Sequence, residues 1–355
     1  MIGIRDLARH LDISIGTVSR ALNDKTDVNP LTRQRVREAA VTLGYSPNQS
    51  GRSLRRGQTD LIGMIIPTGS DAMLINQVFL SVLDGLRRKL AANRLDLAIF
   101  LQGQDEDPFV ALRRLTERRL TDGLIIADTL HEDPRIEYLI EKRRPFVAFG
   151  RSLSGGNHAW VDPDFEGAVA CAIERLCHFG HREIGLILPK RSTHYVHLIE
   201  ERFAVELAKR HLSSSATACA KAEATETGGV EAVEHLMGGK PGCTAFLLTD
   251  ASQIAGVYRR LGERGLRPGK DISVIGLLPE RRGDFLSPTL TTIQTDWTAV
   301  GAQLGEALIG GLSGRLHHAA TATPPGSSGS PGPKMQQILV PTHYCSGESL
   351  HQILR

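Results

Sequence analysis

The stretch that decides the fold of the N-terminal region is IRDLARHLDISIGTVSRALN, residues 4–23. Apolar residues recur in it at helical spacing, with Ile4, Leu7 and Leu11 on one face of a first helix. The period breaks after Leu11, and Ser14 can cap a second helix. Two short helices joined by about four residues predict a helix-turn-helix.

A third helix start is marked more clearly. Asn29 is a helix-capping residue, Pro30 suits the first helical position, and Gly44 is a natural stop. Residues 1–45 are therefore predicted to form a three-helix head. On periodicity alone, a generic three-helix domain with solvated charges explains the pattern equally well.

The outer face of the second helix carries groups that suit DNA. Arg20 can donate two hydrogen bonds to guanine O6 and N7, and small polar side chains suit phosphates. The residues predicted on this face are Ile15, Gly16, Thr17, Ser19, Arg20 and Asn23.

Charge and composition point to the same kind of partner. Residues 1–59 hold 10 Lys and Arg against 5 Asp and Glu, a net +5, whereas the remainder holds 32 against 34, a net −2. A basic head on a near-neutral body predicts a polyanionic partner for the head alone. No apolar run approaches the roughly 20 residues of a membrane helix. Five cysteines without a CxxC pair and a charged N-terminus favour a reducing, cytoplasmic setting.

The segment 46–60 has the pattern of a helix that is weak alone. Ser46 can cap it and Pro47 can begin it, but the sequence is polar and short, so it should be mostly unfolded in water. Leu54 lies between arginines, as expected of an apolar wedge that enters the minor groove and bends the duplex. A plain interdomain linker is the alternative.

These stretches together resemble the DNA-binding head of the lactose-repressor (LacI/GalR) family. The resemblance covers residues 1–60 and rests on IRDLA at 4–8, TVSRALN at 17–23, Thr32-Arg33, GYSPN at 44–48 and Arg52-Ser53-Leu54. It implies a homodimer whose heads bind a pseudo-palindromic operator in double-stranded DNA. By position, it implies that Ile15, Gly16 and Arg20 read the major groove, that Leu54 is the wedge, and that Thr32, Asn48 and Arg52 also contact DNA.

From residue 60 onward, short apolar runs alternate with amphipathic ones, which predicts α/β folding with parallel sheets covered on both faces. A break near Trp160–Asp164 predicts two lobes within residues 61–355, with a ligand cleft between them. The predicted strands are Leu61–Ile66, Leu95–Phe100, Gly123–Ala127, Phe146–Phe149, Ile184–Leu188, Ala245–Leu248 and Ile272–Ile275. Helices are predicted near 77–93, 107–119, 134–143, 164–179, 197–210, 226–237, 251–264 and 297–311.

This part resembles the family's effector domain, which has the periplasmic-binding-protein type I fold. The landmarks are VDPDFEGA at 161–168, GHREI at 180–184, DISVIG at 271–276, LTTI at 290–293 and LVPT at 339–342. The stretch 318–335 is foreign to this pattern and rich in Ala, Thr, Pro, Gly and Ser, so we predict a flexible insertion before the last strand.

The resemblance also implies an effector site, residue by residue. An aromatic at Phe79 is expected in the cleft, Arg202 is expected to grip hydroxyls or a carboxylate, and Trp297 to stack on a sugar. The full set implied is Asn76, Phe79, Arg151, Arg202, Thr249, Asp250 and Trp297. One departure is Gly276-Leu277-Leu278, because many members have an aspartate where Leu278 stands, so the usual monosaccharide pose is in doubt.

The sequence therefore predicts a cytoplasmic, homodimeric transcription regulator, a repressor of carbohydrate-uptake or catabolism genes, released or recruited by a small carbohydrate. A solute-binding protein without DNA activity is the alternative. No nucleophile elbow or acid–base constellation is present, so no enzyme activity is predicted. No cofactor is expected, and the pairs His178/His181 and His194/His197 lack a third metal ligand.

Overall fold

The computed structural model describes residues 2–22, 25–45, 58–67, 72–103, 105–212, 218–238, 242–277, 284–320 and 335–353, without the side chains of 67, 72–77 and 313–320. The chain separates into two compact units, residues 1–59 and 60–355. In the described part of the chain, no helix has the length and apolarity that a membrane span requires.

The first unit is a three-helix bundle with α1 (Ile4–Leu11), α2 (Ile15–Leu22) and α3 (Pro30–Thr42). Its core contains Leu7, Val18 and Val36, each fully buried. The predicted start of α3 is confirmed, since the Asn29 side chain accepts a hydrogen bond from the Leu31 N–H at 2.9 Å. The turn between α1 and α2 passes through Asp12, whose φ of 54° ends α1.

The described residues of the second unit form two six-stranded sheets. Their strands are β1 (Leu61–Pro67), β2 (Asp96–Gln102), β3 (Gly123–Ile126), β4 (Phe146–Phe149), β5 (Trp160–Pro163), β6 (Ile184–Pro189), β7 (Cys219–Ala222), β8 (Ala245–Leu248), β9 (Ser273–Leu277), β10 (Thr291–Thr295), β11 (Gln337–Val340) and β12 (Thr342–Cys345). The helices are α4 (Ala72–Ala92), α5 (Pro108–Glu117), α6 (Pro134–Glu141), α7 (Phe165–His178), α8 (His194–Lys209), α9 (Glu226–Gly238), α10 (Ile254–Glu263) and α11 (Trp297–Ala320).

Each sheet forms the centre of one lobe. The first lobe has strand order β11-β5-β4-β3-β1-β2, all parallel, and the second has β12-β10-β9-β8-β6-β7, with only β12 antiparallel to its neighbour β10. Helices α4, α5, α6 and α11 cover the first sheet, and α7 to α10 cover the second. The α/β fold with two parallel-sheet lobes is therefore confirmed.

The lobes are connected by three passages of the chain, after β5, after β10 and after β11. The sequence predicted one break, near Trp160–Asp164. In the structure most of that segment is β5 itself, paired with β4 and β11, and the chain crosses immediately after it. Helix α11 returns to the first lobe and packs so closely on α4 that a Cβ at Gly85 would lie 2.0 Å from the Thr298 carbonyl oxygen.

Several predicted boundaries were wrong. Helix α11 continues to Ala320, well past the predicted residue 311, so the first residues of the expected 318–335 insertion are helical. Residues 321–334 lie outside the described residues. Helix α8 begins at His194 rather than at 197. The apolar runs also did not predict β5, β7, β10 or β12, which are short and rich in polar residues.

Candidate nucleic-acid interface and interlobe cavity

The outer face of α2 presents polar and small groups to solvent. Ile15, Gly16 and Arg20 are exposed, whereas Thr17 and Ser19 are half-buried. This orientation follows from the opposite face of α2, where buried side chains pack against α1 and α3. The structure thus brings the predicted major-groove residues together on one accessible helix face.

Ser14 caps the N-terminus of α2, as the sequence predicted. Its Oγ accepts a hydrogen bond from the Thr17 N–H at 3.0 Å and lies 2.9 Å from the Thr17 hydroxyl. Arg20 makes a long contact of 3.7 Å with Asp27, and both side chains are more than half exposed. An exposed pair of this kind contributes little energy, so the guanidinium of Arg20 can exchange Asp27 for a base edge.

The remaining head residues are distributed differently. Thr32 lies in the first turn of α3 and is half-buried. The predicted contacts Asn23, Asn48, Arg52 and Leu54 lie outside the described residues, and so does most of the predicted hinge segment 46–60.

A cavity of about 180 Å³ lies between the two lobes, at the carboxyl ends of strands from both sheets. This is where open parallel sheets place their ligands, since the loops after adjacent strands converge there. The residues that line the cavity are Val78, Phe79, Asp128, Thr129, Phe149, Gly150, Asp162, Pro163, Phe165, Arg191, Tyr195, Thr249, Asp250, Ala251, Ser252, Leu277 and Trp297.

Two groups of aromatic rings form much of the apolar part of the cavity wall. In the first lobe, Phe149 contacts both Phe79 and Trp297 edge to face, with ring centroids 6.4 and 6.2 Å apart. In the second lobe, Phe165 and Tyr195 are stacked at 5.3 Å. Flat aromatic faces on both sides of a cleft suit the C–H faces of a sugar ring.

Aspartates form much of the polar part. Asp162 Oδ2 accepts a hydrogen bond from Arg151 Nε at 2.8 Å, and Arg151 also contacts Glu166. Burial raises the pKa of Asp162 to about 6, although the Arg151 guanidinium opposes the rise. Asp250 Oδ1 accepts a hydrogen bond from the Ser252 N–H at 2.8 Å.

The lobes touch directly beside the cavity, at a contact that we call the interlobe seam, residues 129–131 and 193–194. The His194 N–H donates to the Thr129 carbonyl oxygen at 2.8 Å, and Leu130 pairs with Thr193 as an antiparallel bridge. Thr129 also lines the cavity, and so does Tyr195, the neighbour of His194. The seam therefore couples lobe contact to the geometry of the cavity wall.

Four of the seven effector residues implied by the resemblance line the cavity: Phe79, Thr249, Asp250 and Trp297. Arg151 does not line it but holds Asp162, which does. Arg202 is not among the lining residues, and its guanidinium contacts Glu206 at 2.7 Å on α8. The side chain of Asn76 lies outside the described residues.

The sequence did not predict Asp128, Phe149, Arg191 and Tyr195 as site residues. Asp128, Phe149 and Arg191 lie at or just after the carboxyl ends of predicted strands, so a strict use of the strand-end rule finds them. Leu277 lines the cavity next to the position where many family members have aspartate, and Leu278 itself lies outside the described residues.

Comparison with known proteins agrees with this architecture. Residues 3–48 match the family model described as bacterial regulatory proteins, lacI family, and residues 173–349 match the periplasmic binding protein-like domain. The chain is 37% identical over 195 residues to the HTH-type transcriptional regulator RafR of Escherichia coli, a match that covers only 57% of that protein. It is 31% identical over 319 residues to the HTH-type transcriptional regulator AglR of Rhizobium meliloti (strain 1021), 88% of each chain.

Solved structures share the fold. The lac repressor dimer bound to operator and the anti-inducer ONPF has a TM-score of 0.81 at 20% identity, covering 99% of both chains. The transcriptional regulator CelR in complex with cellobiose has a TM-score of 0.69 at 21% identity, covering 98% of this chain and 100% of CelR. The family match of the head, the match of the two-lobed domain and the similarity to AglR over 88% of the chain all point to the same family. The chain belongs to the lacI family of bacterial regulatory proteins.

Proposed function

We propose that this chain is a cytoplasmic, homodimeric repressor that binds a pseudo-palindromic operator through α2 and responds to a small carbohydrate bound between its lobes. The observation that carries the proposal is the combination, in one chain, of an exposed polar helix in a three-helix head and an aromatic- and aspartate-lined interlobe cavity. The controlled genes would be those of carbohydrate uptake or catabolism. Regulation, not catalysis, is the activity that these two sites support.

The head carries the DNA-binding part. Arg20 offers the bidentate donor that reads guanine, with Thr17 and Ser19 beside it for phosphates. Ile15 is 44% exposed, so it can contact a thymine methyl group. Gly16 would allow α2 to approach the DNA closely. Contacts to the DNA backbone would come from Thr32, Asn23, Asn48 and Arg52.

The effector would act by linkage. A carbohydrate that fits one arrangement of the lobes better than another shifts their populations by its differential affinity. Phe79, Thr249, Asp250 and Trp297 would contact it. The segment 46–60 would transmit this population shift to the DNA. There Leu54 would act as the wedge, so the bent DNA complex would become more or less stable.

A second copy of the chain would pack at one of the two edges of the first sheet. Strand β2 lies at that edge, and its Ile99 and Leu101 side chains are 39% and 66% exposed. Apolar side chains on an open strand edge attract another chain unless they are covered. A homodimer would cover them and set two heads on two half-sites.

The test starts with selection of bound duplexes from a random pool by the full chain, followed by anisotropy titration at fixed salt. We expect enrichment of one pseudo-palindromic sequence, and a saccharide from a neutral sugar library that changes its affinity. Absence of any enriched sequence would leave the alternative, a solute-binding protein without DNA activity. Turnover of a bound sugar would instead establish an enzyme.

A further inference from the structure

One of the three aspartates that line the cavity differs from the other two. Asp162 is held by Arg151, and Asp250 accepts the Ser252 N–H. The third, Asp128, receives no hydrogen bond on its carboxylate from any described residue, although it faces the same cavity. Asp128 is half-buried, so its carboxylate is partly desolvated yet open to the cavity, where a ligand can donate a hydrogen bond to it.

The backbone of Asp128 is fixed from the protein side. Its carbonyl oxygen accepts a hydrogen bond from Arg135 Nη2 at 2.9 Å, and Arg135 is itself buried and paired with Asp133 at 2.7 Å. Asp128 has a φ of 51°, a left-handed conformation that Asp and Asn tolerate better than most residues. The main chain of Asp128 is thus held in place by Arg135, while its carboxylate faces the cavity.

Two arginine side chains act on the Asp128 carboxyl group. Burial raises its pKa, and the positive charges of Arg191 and Arg135 oppose this rise. Arg191 belongs to the loop after β6 in the other lobe and lines the same cavity. A carboxylate of one lobe and a guanidinium of the other therefore face one small space, which is the arrangement that binds adjacent hydroxyl groups.

The net charge of the cavity wall disfavours anions. Asp128, Asp162 and Asp250 line it, whereas Arg191 is the only Lys or Arg among the described residues that do. The nearby Arg151 pairs with both Asp162 and Glu166, so these three groups together still carry a net negative charge. A ligand carboxylate or phosphate would meet an excess of negative charge at low dielectric.

Resting on the function proposed above, we infer that Asp128 is the specificity-determining acceptor of this cavity: it takes a hydrogen bond from a hydroxyl of a neutral carbohydrate, and the cavity rejects sugar acids and sugar phosphates. Asp128 would thus supply the carboxylate that the family pattern places where Leu278 stands. It does so from the first lobe instead of the second.

An indole nitrogen supports the choice of a hydroxyl. Trp297 lines the cavity, and its Nε1 is buried without an acceptor among the described residues. An amine would satisfy Asp128 alone, and a carboxylate would satisfy Trp297 alone. A hydroxyl group both donates and accepts, so a polyol is the ligand class that can satisfy both.

The test is calorimetry on the full chain with matched probes: glucose, galactose, maltose and cellobiose against glucuronate, galacturonate and glucose 6-phosphate. We expect at least one neutral sugar to bind and its anionic counterpart to bind at least tenfold more weakly. Tighter binding of an anionic member, or no binding by any neutral member, would overturn the inference. These outcomes are read without DNA, so failure of the inference is separable from failure of operator binding.

The variant Asp128→Asn keeps the size of the side chain and tolerates the left-handed backbone. Because a charged acceptor forms a stronger hydrogen bond than a neutral one, we expect at least about fivefold weaker binding of the neutral sugar. The ratio of the affinity for the neutral sugar to the affinity for its anionic counterpart should decrease as well. The matched control is Asp105→Asn at an exposed position, which should change neither quantity.

A purely structural role for Asp128 gives a different result. In that case Asp128→Asn lowers the melting temperature of the free protein and leaves sugar affinity and charge discrimination unchanged, which would contradict the inference. Trp297→Phe keeps the ring and removes the N–H, and it should weaken the same sugar without altering the discrimination against anions.

Discussion

His131 Nδ1 and His194 Nδ1 lie 2.9 Å apart across the interlobe seam. At that distance one nitrogen donates and the other accepts, so at least one of the two rings must be neutral. The His197 ring is 4.9 Å from that of His131. The lobes are thus joined beside the cavity by a contact that two protonated histidines cannot make.

The seam predicts pH-dependent effector binding. The pKa of His194 is lowered to about 4, first by burial and then by the charges of His131, Arg151 and His197, with Glu166 acting in the opposite direction. An opened seam exposes His194 near its ordinary value of 6.5, so the opened state binds more protons. The contribution to closure is therefore fully present above pH 6.5 and is lost as the pH falls toward 4.

Between pH 7.5 and 5.5, we expect the affinity for the effector to fall about tenfold, measured by calorimetry in one buffer series. His194→Asn should flatten this dependence, while His235→Asn, at an exposed position of α9, should leave it intact. An identical pH profile in the parent and His194→Asn would show that the seam does not control closure.

Arg20 is predicted to read a base. Arg20→Ala should weaken binding to the selected operator by about 1–3 kcal/mol and relax preference at one base position of each half-site. Anisotropy titrations against operators substituted at single positions measure both effects. The control Arg118→Ala removes an arginine that is also exposed, from the second unit. Uniform weakening on every sequence would assign Arg20 to phosphate instead.

Arg191 and Arg202 test which arginine serves the effector. Arg191 lines the cavity, whereas Arg202 contacts Glu206, which Lys209 and Arg210 also contact. Because Glu206 keeps two cationic neighbours, Arg202→Ala should change stability by less than about 1 kcal/mol and leave effector affinity nearly unchanged. Arg191→Ala should weaken sugar binding at least tenfold by calorimetry. A larger loss of sugar affinity in Arg202→Ala than in Arg191→Ala would show that Arg202 serves the effector.

Leu101 tests the dimer surface. The substitution Leu101→Lys places a charge on the exposed edge strand β2, which should convert the dimer to monomer in light scattering. Because a monomer can place only one head on one half-site, operator binding should fall as well. Val205→Lys, at an exposed apolar position of α8, is the matched control. A dimer that persists in Leu101→Lys would move the interface elsewhere.

Local signals in the sequence were sufficient for the head. Helix starts at Ser14 and Asn29 depend on hydrogen bonds to residues two or three positions away, so their chemistry is visible in a short window. The three-helix core follows from apolar spacing, and its buried face orients Arg20 outward. The buried parallel strands were predictable for a similar reason, since both faces are covered and the runs are apolar throughout.

The lining of the interlobe cavity was predictable only in part. The resemblance pointed to Phe79, Thr249, Asp250 and Trp297, which line the cavity, and to Arg202, whose guanidinium contacts Glu206 instead. The face of a helix on which a side chain lies follows from helical periodicity. The residue that this side chain contacts depends on how the helix packs against other elements. No local pattern carries that information.

The sequence by itself determined that a basic helix-turn-helix head is followed by alternating α/β segments, because capping, periodicity and charge are properties of neighbouring residues. Only the tertiary structure decided that Asp128 and Arg191 face one cavity and that His131 meets His194. These pairs are 63 positions apart in the chain, and they come together because two sheets place the ends of their strands on either side of one cleft.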